Sequence, residues 1–209
     1  MRILSSVILF FIIFSTSAQE NYVIIDDATE LNKIIKSKSQ NIHSIKSDFI
    51  QHKNLSILEE TLVSEGNFLF KKENNIKWQY TSPFNYTITI SKGKFKIDNE
   101  GKLSEFDMNS NEMFKQINNM IVTAISGDFI DNPEFEVKFY KNKDFYKAEL
   151  TPVDNTVSEM LSSISIYFHK EHYHVDKIKF LEPGDDYTLI IFNNRQENIH
   201  ISEDDFNIN

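Results

Sequence analysis

The chain has 209 residues, a formal net charge of −9, five glycines, four prolines and no cysteine. Without cysteine there is no disulfide, no thiol nucleophile, no thiolate metal site and no acylated N-terminal cysteine. The acidic balance disfavours nucleic acid, which is held by clustered Lys and Arg, and disfavours adhesion to an anionic membrane surface.

Arg2 precedes an apolar run from Ile3 to Phe14, and Thr16-Ser17-Ala18 places small residues ahead of polar Gln19. Charge, apolar core and small residues in that order predict a secretory signal peptide over residues 1–18. The run is shorter than the roughly 20 apolar residues a membrane span needs. Residues 19–209 are therefore expected to be one soluble, exported domain, located in the periplasm and more acidic by the loss of Arg2.

After an extended stretch from Tyr22 to Ile25, Asp27 with Glu30 three residues on caps a helix. Leu31, Ile34 and Ile35 carry it at helical spacing over about Ala28 to Ser39, and Asn41 ends it. From Ile45 the period changes to two. Phe49 lies in a first strand, and Gly66, Phe68 and Phe70 share one face of the next. Asn74-Asn75 marks a turn, and Ile76, Trp78 and Tyr80 alternate with Lys77 and Gln79. Beyond Ser82-Pro83, Tyr86, Ile88 and Ile90 alternate with threonines, and after Lys92-Gly93 so do Phe95 and Ile97 with lysines. These segments predict an antiparallel meander with one wet face.

The pattern then switches. Asn109 caps with Glu112, and Met113, Phe114, Ile117, Met120, Ile121, Ala124 and Ile125 follow at helical spacing as far as Gly127. This predicts an inserted amphipathic helix of about four turns. Strands resume with Phe135, Val137 and Phe139, then Tyr146, Ala148 and Leu150, then Ile164, Ile166 and Phe168. Ile178 and Phe180, and Tyr187, Leu189 and Ile191 across Pro183-Gly184, form the next pair. Asn193 to Asn198 is expected as a loop before a last short edge at Ile199 and Ile201.

A sheet of about ten strands twists and curls. The fold class predicted is mainly β, an incomplete antiparallel barrel of about 10–11 strands covered by the N-terminal helix and the inserted helix. From the residues alone, the inward Phe, Tyr, Trp and Ile side chains either fill a solid core or line a hollow. Methionines on an inserted helix suit a surface that repacks around variable apolar partners.

His169, His172 and His174 spell H-x-x-H-x-H across a hairpin turn, but no HExxH helix or cysteine accompanies them, so surface histidines and no metal are expected. No G-x-S-x-G elbow and no glycine-rich phosphate loop is present. No enzyme activity and no cofactor are expected.

Ser47-Asp48-Phe49-Ile50-Gln51 resembles the F-x-Q opening strand of the LolA family of outer-membrane lipoprotein carriers. Gly66-Asn67-Phe68-Leu69-Phe70-Lys71-Lys72 with Ile76-Lys77-Trp78-Gln79-Tyr80 resembles that family's G…K-R-P…W segment. Leu150-Thr151-Pro152 is similar to its L-x-P strand end, and Phe192-Asn193-Asn194 through Ile201 and Phe206 to its closing run. The resemblance implies a half-open barrel and a soluble, monomeric shuttle for acylated lipoproteins, working between an inner-membrane exporter and an outer-membrane acceptor. It also implies an acyl-chain cavity lined by Phe49, Phe68, Phe70, Trp78, Tyr80, Tyr86, Ile88, Ile90, Phe95 and Ile97, under a lid helix contributing Met113, Ile117, Met120, Ile121 and Ile125. The family's latch arginine falls at Lys72, with Glu73 in place of the proline. Lys lacks arginine's planar donor fork, so a weaker or relocated latch is expected. The chain ends three residues after Phe206, without the C-terminal extension of some members, so directional transfer is expected to differ. Carriage of another lipid or amphiphile, or a non-catalytic scaffold role in outer-membrane assembly, are the alternatives.

Overall fold

The computed structural model describes residues 21–58, 60–73, 75–107, 123 and 127–208. The signal peptide predicted over residues 1–18 and the lid-helix residues Met113, Ile117, Met120, Ile121 and Ile125 lie outside them.

Among the described residues, twelve antiparallel strands form one sheet. They are β1 (Val23–Ile24), β2 (Ser44–Leu55), β3 (Glu60–Lys71), β4 (Asn75–Ser82), β5 (Tyr86–Ser91), β6 (Lys94–Asn99), β7 (Lys102–Asp107), β8 (Phe135–Lys141), β9 (Phe145–Pro152), β10 (Ser163–His169), β11 (Val175–Leu181) and β12 (Tyr187–Glu197). Their order is β1-β8-β9-β10-β11-β12-β2-β3-β4-β5-β6-β7. Two meanders, β2–β7 and β8–β12, are joined where β12 pairs with β2, from Tyr187 opposite Asn54 to Glu197 opposite Ile45. β1 and β7 remain as separate edges, so the sheet is open and does not close into a barrel.

Turn chemistry explains the tight hairpins. Lys92 and Gly93 both have positive φ, as do Glu100 and Gly101, which gives two-residue turns whose twist matches the flanking strands. The second of these turns creates β7, whose six residues are all exposed and carry no burial signal in their composition.

Helix α1 (Thr29–Gln40) starts where Thr29 N–H donates to Asp27 Oδ1 at 3.0 Å. It ends at Asn41, whose Nδ2 donates to the Ser37 carbonyl at 2.8 Å. Its buried face, Leu31 and Ile35, packs with Phe129, Phe139, Leu150, Ile166 and Phe168 in one apolar cluster. A second cluster, built on Phe49, Phe68, Phe70, Ile76, Trp78 and Ile90, belongs to β2–β6 and β12.

Three expectations about the outer face and the C-terminal chain differ from the structure. The wet outer face of the meander is partly covered, because Phe206 is buried and the turn Asp204–Phe206 packs on β4 and β5. Thr87 and Thr89 are consequently buried. Asn193 to Glu197 is not a loop but the end of β12, carrying a register irregularity between Asn193 and Gln196. The short edge expected at Ile199 and Ile201 is irregular chain: Ser44 Oγ donates to the Ile199 carbonyl at 2.6 Å, and Ile201 is buried.

Candidate functional site: an apolar hollow in the open sheet

The two clusters do not meet everywhere. Between them lies a cavity of about 230 Å³ whose wall is drawn from both meanders. The first contributes Phe68, Ile76, Trp78, Tyr80, Ile88, Ile90 and Phe95. The second contributes Phe135, Leu150, Ile164, Ile166, Val175 and Ile178, with Phe180, Ile190, Phe192 and Arg195. Thr123 also lines it and is helical, the one described residue between 108 and 126. Helix α1 adds no side chain to this wall.

Aromatic rings stiffen one side. The Trp78 ring lies 4.8 Å from Phe49 and 4.9 Å from Phe68, and Phe192 lies 5.7 Å from Phe68 and 6.0 Å from Trp78. Tilted and edge-on contacts of this kind hold rings in place beyond what area burial alone supplies. The Tyr80 hydroxyl donates to Gln51 Oε1 at 2.9 Å. Burial pushes its phenol up to about 12, against the opposing influence of Trp78 and Gln51.

Of the ten residues expected on the wall, Phe68, Trp78, Tyr80, Ile88, Ile90 and Phe95 line the hollow. Phe49 and Phe70 are buried in the adjoining cluster, and Ile97 packs against its edge. Tyr86 stands beside Tyr80, with ring centres 6.1 Å apart. The wall residues of β8–β12 were not among those expected. Reading their strands gives no sign that β12 pairs with β2 and so brings both meanders around one space. On β12 the inward face is also the opposite of the one expected. Ile190 and Phe192 line the hollow rather than Leu189 and Ile191, because Ile178 pairs with Ile190 and Phe180 with Thr188. In the run Thr188-Leu189-Ile190-Ile191-Phe192 both faces are apolar, so alternation alone cannot choose between them.

Lys72 is exposed and does not line the hollow. Its Nζ donates to the Gln40 carbonyl at 2.6 Å, the last residue of α1, and its N–H donates to the His43 carbonyl at 2.8 Å. A cation there satisfies an orphan carbonyl and complements the helix dipole. Lys72 therefore ties the β3–β4 turn to α1.

Among the described residues, the charged group that does face the hollow is Arg195, whose side chain is 12% exposed. Its Nε donates to Glu197 Oε1 at 2.8 Å and its Nη1 to the Val175 carbonyl at 3.3 Å. Burial pushes the guanidinium below its ordinary value while Glu197 works the other way. His174 Nδ1 lies 3.0 Å from the same carboxylate oxygen, and burial holds its imidazole below the usual histidine value. The only signal for Arg195 in the sequence is that it is the single arginine after Arg2.

At the β10–β11 hairpin, one ligand atom from each of His169, Glu171 and His172 lies within 4.8 Å of the others. His169 and His172 are stacked with ring centres 5.2 Å apart and planes 15° apart. The Glu171 N–H donates to His169 Nδ1 at 3.2 Å, which leaves only Nε2 of that ring for a ligand. The group sits on an exposed turn, away from the hollow.

The family model for the outer-membrane lipoprotein carrier protein LolA matches residues 40–209. The chain belongs to the LolA family. No curated protein matches at a significant level. Among solved structures, an uncharacterised conserved protein from Thermus thermophilus aligns with a TM-score of 0.53 at 7% identity, covering 86% of this chain and 93% of that one. A LolA superfamily protein from Nitrosomonas europaea gives 0.43 at 10% identity, over 85% and 97%. The Mycobacterium tuberculosis lipoprotein LppX gives 0.48 at 8% identity, over 85% and 100%. At 7% identity the Thermus thermophilus likeness speaks to fold alone. Membership in the LolA family agrees with the open antiparallel sheet and its apolar hollow, and assigns the chain to a family of carrier-type proteins. Among the described residues, no helix is long and apolar enough to cross a membrane.

Proposed function

We propose that the chain is an exported periplasmic carrier that shelters the acyl chains of lipoproteins in the hollow and takes them from the inner to the outer membrane. The observation that supports this most is the hollow itself, a space walled by aromatic and aliphatic side chains from both halves of an open sheet. Leaving an acyl chain in water costs about 0.8 kcal/mol per CH₂, so a chain of ordinary length needs shelter worth on the order of 10 kcal/mol. Export through residues 1–18, an inner-membrane exporter and an outer-membrane acceptor are parts of the same proposal. In it Lys72 serves as the latch by fastening α1 to the β3–β4 turn, and its release would move α1 rather than a wall residue.

About 230 Å³ is below the ~300–1,000 Å³ of pockets that enclose a drug-sized ligand. Loading several acyl chains therefore requires the hollow to enlarge. The same size favours, as a second reading, carriage of a smaller single-chain amphiphile. Mass spectrometry of material that co-purifies with the protein from the periplasm tests both. Triacylated lipoprotein supports the first reading, a single-chain lipid the second, and protein free of any lipid under non-denaturing conditions contradicts both.

A further inference from the structure

In a wall that apart from Thr123 is built from apolar and aromatic side chains, Arg195 is the one charged group among the described residues. A specific backbone device puts it there. Asn193 pairs with Asp48 and Gln196 with Lys46, so two residues of β12, Asn194 and Arg195, stand opposite Ser47 alone. Asn194 takes a positive φ of 52°. Such a bulge shifts the inward alternation by one, so that Ile190 and Phe192 are followed on the inner face by Arg195. Three side-chain bonds secure it. Asp48 accepts from Asn194 Nδ2 at 2.7 Å and from Asn67 Nδ2 at 2.8 Å, and Ser47 Oγ donates to the Asn193 carbonyl at 2.7 Å.

A guanidinium carries five N–H donors. Here Nε and one Nη1 hydrogen are used, by Glu197 and the Val175 carbonyl. The others have no acceptor among the described residues. Nη2 is not sealed within the protein, so in this apolar setting it is open to an acceptor from outside the chain. An oxygen carried by whatever fills the hollow would satisfy it.

The surrounding charge decides what kind of oxygen. Glu197 neutralises Arg195, Asp176 adds a weaker negative influence, and burial favours the neutral form of His174. An ionised carboxylate would leave this low-dielectric site with an excess negative charge, whereas an ester or amide carbonyl accepts the same bonds with no imbalance.

We propose that Arg195 anchors the polar end of the bound acyl chain and selects uncharged carbonyl headgroups, esters and amides, over free fatty acids. This rests on the carrier reading. The test measures displacement of a fluorescent apolar probe from the full mature protein at neutral pH. Three ligands of equal chain length are compared: a monoacylglycerol ester, the ether analogue without the carbonyl, and the ionised fatty acid. The ester binds about tenfold more tightly than the ether or the fatty acid. Arg195→Leu binds the probe but treats ester and ether alike. Glu197→Gln, which leaves Arg195 uncompensated, moves the preference toward the fatty acid. Equal affinity for ester and ether in the unaltered protein overturns the proposal without need of any variant. So does a fatty acid that binds as tightly as the ester. If neither the probe nor any of the ligands binds, the carrier reading fails, and the proposal with it.

Discussion

Gly66 sits where the neighbouring strands leave no room for a side chain, and replacing it with alanine should be among the most damaging single-methyl changes in this chain. It pairs with Phe49 on β2 and Tyr80 on β4, beside an irregularity in the β3–β4 register. A Cβ placed there would lie 1.9 Å from the Gln79 carbonyl oxygen, 2.8 Å from the carbonyl carbon and 2.8 Å from Cε1 of Phe49. Ordinary contact begins near 3.4 Å, so the oxygen would have to retreat by about 1.5 Å, a large fraction of the ~4.8 Å strand spacing. The obstacle is backbone rather than a swinging side chain. The cost belongs at the upper end of overpacking, about 3 kcal/mol. At roughly 2–4 °C per kcal/mol for a domain of this size, the melting temperature should fall by about 6–12 °C. Gly93→Ala is the control. Its Cβ meets nothing within 4 Å, and only its φ of +73° is unfavourable, so about 1–2 kcal/mol is expected. Thermal and urea unfolding of the two variants decide the matter. A Gly66→Ala melting temperature within about 2 °C of the unaltered protein, or a larger loss in Gly93→Ala, would refute the reasoning.

Two further outcomes are expected. The Tyr80 phenol is raised to about 12 from an ordinary value of 10.0, so the unfolded chain gives up this proton first as pH rises. Its stabilising contribution is complete below pH 10 and is lost as pH climbs toward 12; the alkaline limb of a stability profile should flatten in Tyr80→Phe, and an unchanged limb contradicts the burial. Lys72→Leu should lower stability by less than about 1 kcal/mol, since one exposed cation at a helix end is lost. If that variant also slows cargo release or lid closure, Lys72 acts as a latch through α1, and unaltered transfer rates remove it from the mechanism.

Much of this fold is legible in alternation alone. Gly66-Phe68-Phe70 and Ile76-Trp78-Tyr80 announce both their strands and their inward face because polar residues separate the apolar ones cleanly. Helix α1 shows through Leu31 and Ile35 at helical spacing after Asp27. What is not legible has specific causes. β7 is an exposed edge with Leu103 and Phe106 both open to solvent, so its only sign is the Glu100-Gly101 turn. The polar run Asn193-Asn194-Arg195 has the composition of a loop, yet its ladder to β2 continues through a bulge held by Asp48 and Ser47. The inward face of β12 is ambiguous because Leu189, Ile190 and Ile191 are apolar in succession, and only pairing with β11 resolves it. The full wall escapes local reading for a similar reason. It exists because the last strand pairs with the first long one, a contact some 140 residues apart in sequence.

Trp78 offers the most direct measurement of whether acyl chains enter this hollow. It is the single tryptophan of the chain and it stands on the wall. Titration with a monoacylglycerol brominated along its chain should quench the indole fluorescence saturably, at one concentration scale with binding measured independently, and the unbrominated lipid should reverse it. Lipid that binds while leaving the indole emission unquenched would put the acyl chain elsewhere and contradict the carrier mechanism.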